Sequence, residues 1–100
     1  MNKSYLLDKE AVNTSISLIS GAFQPQDARE LLLTLMNDKI NFHVNKNFSS
    51  EERFGVADEL SKKRIPELKK DIEIIKSIIQ EAEEKSKTLV INSMISIKFE

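Results

Sequence analysis

Six apolar residues, Ile65, Leu68, Ile72, Ile75, Ile79 and Ala82, recur at alternating spacings of three and four. That repeat holds an apolar stripe against a partner helix, as in a coiled coil. A chain carrying it must supply, or find, a second helix to cover it. The predicted second helix runs from about Asp58 to about Lys87, with a kink or restart at Ile65 and Pro66, because proline removes a backbone donor and crowds the preceding turn. Ile74 and Ile78 lie beside the row and widen it into a second apolar face. On the far side, Glu59 with Lys63, Glu81 with Lys85 and Glu83 with Lys87 have the favourable i, i+4 order of a solvated face.

The partner helix is predicted to begin at Gln24-Pro25-Gln26-Asp27, where proline suits the first helical position and the acid suits the positive end of the macrodipole. It is expected to end near Asn47. Ala28, Leu31, Leu32, Leu35 and Phe42 share one face, and Leu33, Met36, Ile40 and Val44 the adjoining one. Two apolar arcs on one helix call for cover on both. Between the helices, Ser49 and Glu52 have capping-box spacing and Gly55 marks a break, so a short helical turn is expected in Phe48 to Ala57.

Strands are predicted at both ends. Val12, Thr14, Ile16 and Leu18 alternate with polar residues from about Val12 to Ser20, with Gly21 as the break. From Leu89 to Phe99 a second alternation places Leu89, Ile91, Ile95, Ile97 and Phe99 on one side. The expected fold is therefore α+β and mainly helical: an antiparallel two-helix hairpin with N- and C-terminal strands pairing antiparallel, in the order β-α-α-β. With 100 residues, 31% charged and 40% hydrophobic, one domain over 1–100 is expected, with 1–10 disordered or loosely attached.

The charge balance, 15 Lys plus Arg against 16 Asp plus Glu, gives no net attraction to nucleic acid or an anionic membrane. The absence of cysteine removes disulfides and thiol chemistry, and no apolar run reaches membrane-spanning length, so a cytoplasmic protein is expected. No Gly-x-Ser-x-Gly elbow or glycine-rich phosphate loop is present, and neither a cofactor nor an enzyme activity is expected.

Three residues are candidates for a polar site. His43, the only histidine, projects from the apolar arc of the first helix, with Lys39 one turn earlier. Its i±3 and i±4 neighbours, Ile40, Lys39, Lys46 and Asn47, offer no metal-ligating or catalytic company, which favours a structural imidazole bonded to a backbone group. Arg53 stands beside Phe54 and Gly55; Phe54 is expected to plug the end of the hairpin, Arg53 to pair with a nearby acid and Gly55 to supply a positive φ. Lys62, Lys69 and Lys76 form a basic row, but Glu67, Asp71 and Glu73 interrupt it. The function these features favour is a protein-interaction or structural module that self-associates, with Ile74, Ile78, Ile95, Ile97 and Phe99 as the expected partner contact. The alternative is a nucleic-acid-associated regulator using the basic row.

Overall fold

A computed structural model describes residues 13–100. The order is β1 (Asn13–Phe23), α1 (Pro25–Phe54), α2 (Glu59–Glu84) and β2 (Leu89–Lys98), with β1 and β2 forming an antiparallel two-stranded sheet. The β-α-α-β arrangement is thus the one the hydrophobic periodicities dictate. The chain resolves into two compact units, the paired strands and a helical hairpin spanning Phe23–Leu89. The expected disordered segment 1–10, and Val12 of the first predicted strand, lie outside the described residues.

At 1.5 Å per residue, α1 with its 30 residues is about 45 Å long and α2 with its 26 about 39 Å. Pro25 opens α1, and the helix continues seven residues past Asn47. Ser49 and Glu52 therefore lie inside the helix rather than at a new start. The stop is Gly55, whose φ of 71° is left-handed and whose N–H returns to the carbonyl of Glu51 at 2.9 Å. Asp58 caps α2 by accepting the backbone N–H of Ser61 on its side chain at 3.0 Å.

Pro66 neither ends nor restarts α2. It and Lys62, whose carbonyl loses its helical donor, are both exposed, so water can replace the missing bond. The helix stops three residues short of the expected Lys87 because Ser86 adopts a φ of 54°. The N–H of Lys87 then reaches the carbonyl of Ala82 at 2.8 Å and that of Ser86 the carbonyl of Glu83 at 3.3 Å, the two bonds of a Schellman motif. Lys87, now beyond the helix, is out of register for Glu83. That carboxylate meets Arg29 of α1 instead, at 3.3 Å, while Glu81 and Lys85 keep the expected pairing at 2.6 Å.

The apolar row of α2 forms the seam of the hairpin: Leu68, Ile72, Ile79 and Ala82 are buried, with Ile65 and Ile75 half-buried. Ile40 packs with Leu68 and Ile72, and Leu33, Met36 and Ile65 close around them. The two arcs of α1 are not equally covered. Ala28 and Ile40 are buried and Leu31, Leu32 and Leu35 half-buried, but Phe42 and Val44, on opposite flanks, are exposed.

The first strand differs from its expected form in two respects. It runs through Gly21, whose φ of 156° is close to extended, and ends only at Phe23 beside the α1 cap. Its buried residue is Ile19, on the parity opposite to Ile16 and Leu18, which are exposed. In β2 the expected face is half-buried at Leu89 and Ile91, whereas Ile95, Ile97 and Phe99 are exposed.

Candidate functional site

The closing end of the hairpin holds the most connected polar cluster among the described residues. It is assembled from both helices. His43 and Asn47 lie one turn apart on α1; Asp58 and Ser61 are the cap and third residue of α2. The side-chain oxygen of Asn47 accepts the backbone N–H of Asp58 at 2.8 Å, satisfying a donor that the start of α2 would leave free. One turn beyond Asn47 and Asp58, on the side away from the loop, Nδ1 of His43 lies 2.8 Å from Oγ of Ser61. Ser61 is 0% exposed and His43 7%. Ser50 donates its hydroxyl to the carbonyl of Val56 at 2.9 Å, closing the loop from the α1 side.

Hydrogen bonds from Ser61, through its hydroxyl and then its backbone N–H, hold the Asp58 carboxyl below its ordinary value of 3.8; the charges of Lys46 and His43 add to this, and desolvation opposes it. When the Ser61 hydroxyl donates its hydrogen bond to the Asp58 carboxylate, its oxygen can only accept from the imidazole, and Nδ1–H of His43 becomes the donor. The resulting sequence, His43 to Ser61 to Asp58, contains the three side-chain types of a hydrolytic triad in the wrong order, since there the histidine stands between the other two. The serine is also sealed from solvent, where no substrate carbonyl can reach it. No buried polar side-chain atom lacks a partner among the described residues, so the cluster closes on itself.

The residues singled out from the sequence are placed separately. Lys39 is exposed and lies with Lys46 against the Phe42 ring, at 5.2 and 5.9 Å from its centroid, while His43 meets the same ring edge-on at 5.2 Å. Lys39 and His43 thus share an aromatic neighbour but no hydrogen bond. Arg53 is exposed at the last turn of α1 with no ion pair among the described residues. Phe54 does not plug the hairpin: it is 72% exposed, because α1 runs on to it and Gly55 turns the chain only afterwards. Ile74 and Ile78 on α2 are 50% and 51% exposed.

Sequence reasoning missed Ser61, the most enclosed polar residue. Its signal was available: it stands four residues before Ile65 and continues the three-four row by one step. No grouping of three or more His, Asp or Glu that could hold a metal ion occurs among the described residues, and none of their helices is long and apolar enough to cross a membrane. A groove of about 380 Å³ lies where the start of α1 meets the end of α2, lined by Pro25, Gln26, Ala82, Glu83, Ser86 and Lys87. It brings together one acid and one base without a buried titratable group. No protein-family model, curated protein or solved structure matches the chain.

Proposed function

We propose that the chain is a protein-interaction module that self-associates in the cytoplasm through apolar side chains its own fold leaves uncovered. The observation that supports this reading is the amount of large apolar surface outside the seam: Ile74 and Ile78 on α2, and Ile95, Ile97 and Phe99 in and just after β2. Covering such side chains is worth about 1.5–3 kcal/mol each for full burial, enough over two copies to offset part of the cost of association. The polar cluster, by contrast, has its capacity consumed inside the hairpin.

Light scattering on the whole chain across a hundredfold dilution tests the reading. The expected result is a mass above that of one chain that falls on dilution; one chain at every concentration overturns it. Substituting Ile74→Glu together with Ile78→Glu assigns the contact to α2 if the mass drops, and elsewhere if it holds. Retention on nucleic acid that falls steeply with salt and needs Lys62, Lys69 and Lys76 would replace this reading with the nucleic-acid one.

A further inference from the structure

We propose that the outer edge of β2 pairs antiparallel with β2 of a second copy, joining two two-stranded sheets into one of four strands. This rests on the self-association reading and names its partner and its geometry.

Among the described residues the sheet has two strands, each with one edge paired and one edge unpaired, so every second residue of β2 points its N–H and C=O away from β1. Folded proteins usually guard such edges with charge, proline or a bulge. Here neither strand contains proline, and charge is nearly absent. The eleven residues of β1 contain no charged residue and no proline, and the ten of β2 contain one charge, Lys98, at the last position. Strand side chains alternate between faces, which puts Val90 and Met94 on one face of β2 and Ile95 and Ile97 on the other. All four are exposed, so β2 is unfinished on both faces as well as at its edge. In β1 the exposed large apolar residues, Ile16 and Leu18, share a single face.

Only another strand satisfies a row of backbone donors and acceptors, which excludes a helix or a lipid as the occupant. The charge pattern selects a second copy in antiparallel sense. Parallel self-pairing would set the two Lys98 side chains next to each other. Antiparallel pairing about the strand centre sends them to opposite ends, about 30 Å apart at 3.4 Å per residue, each facing an uncharged strand start. The twofold axis also makes one edge serve both copies, which is the isologous form most dimers take.

Because the chain has no cysteine, single-cysteine variants can be spin-labelled without background. Val90→Cys, Asn92→Cys, Met94→Cys, Ser96→Cys and Lys98→Cys all replace exposed residues on one face of the strand. The expected profile of inter-chain label distances is a V, with its minimum at one of the three central positions and a rise of about 14 Å for each two-residue step away from it. Amide exchange on the unaltered chain supplies a reading independent of any variant: alternate amides of β2 should be protected at all concentrations, and the intervening ones only at concentrations where two copies are joined. A dimer whose label distances are flat or uniformly long, or whose intervening amides stay unprotected, overturns this pairing and leaves self-association standing. A chain that remains single at every concentration overturns both.

Discussion

Replacing Ser61 with alanine removes one oxygen from a site closed to solvent, and its cost follows from what is left behind. Among the described residues, Nδ1 of His43 has no partner other than Oγ of Ser61, at 2.8 Å, and the ring is 7% exposed. A net hydrogen bond contributes about 0.5–1.5 kcal/mol, but a buried polar atom left without a partner costs about 1–3 kcal/mol. Ser61→Ala should therefore destabilise the hairpin by about 1–3 kcal/mol. His43→Phe should cost less, because the orphaned hydroxyl can turn fully to Asp58. Removing both partners together should cost less than the sum of the two, with a coupling of about 0.5–3 kcal/mol. Urea unfolding followed by circular dichroism at one fixed protein concentration measures all four corners of the cycle, and equal slopes show that the same surface is being exposed. A Ser61→Ala shift under about 0.5 kcal/mol, or additive single substitutions, would refute the bond.

Gly55→Ala isolates the conformational cost of the stop: a Cβ there meets nothing within 4 Å, so the loss should be the left-handed penalty alone, about 1–2 kcal/mol in urea unfolding. Asp58→Asn keeps an acceptor at the cap but removes the charge. Since the Asp58 carboxyl is held below its ordinary value of 3.8, its stabilisation is present above that value and lost as the pH falls through the lowered one, so wild type and variant should converge in acid and separate towards neutrality. Ile79→Ala, at a site 1% exposed, should cost about 2–5 kcal/mol, and Ile75→Ala, half-buried in the same row, clearly less; equal losses would mean that the seam is centred differently.

Both helices and both strands were legible because their periodicities differ, three-four against two, and few residues break them. Boundaries were harder to place where a residue had two uses. Gly21 reads as a breaker, yet glycine also accepts extended φ, and the strand runs through it. Ser49 and Glu52 read as a cap, yet both are tolerated inside a helix, and only the left-handed Gly55 stops α1. The face of β1 could not be read from alternation alone because apolar residues occur on both parities, at Ile16 and Leu18 and at Ile19. At the polar cluster, the local spacing of His43 excludes partners on its own helix but is silent about Ser61, which is eighteen residues away in sequence. Contacts of that kind depend on how two helices are set in register.

That register also explains why Ile74 and Ile78 cannot be absorbed into the hairpin. Turning α2 by about 100° about its axis would bring each residue into the place of its successor. Ile74 would take the position of Ile75 and Ile78 that of Ile79, an even exchange for the apolar row. The same turn would carry Arg64 to the position of Ile65, Glu67 to that of Leu68, Asp71 to that of Ile72 and Glu81 to that of Ala82. Burying four charges against α1 costs several kcal/mol apiece, far more than two isoleucines can return. The turn would also remove Ser61 from His43, and one polar position in an apolar seam is a known means of fixing register. The two isoleucines are therefore surplus in the observed setting, and the turn that would bring them into the seam buries charge, so a cover for them has to come from outside α1.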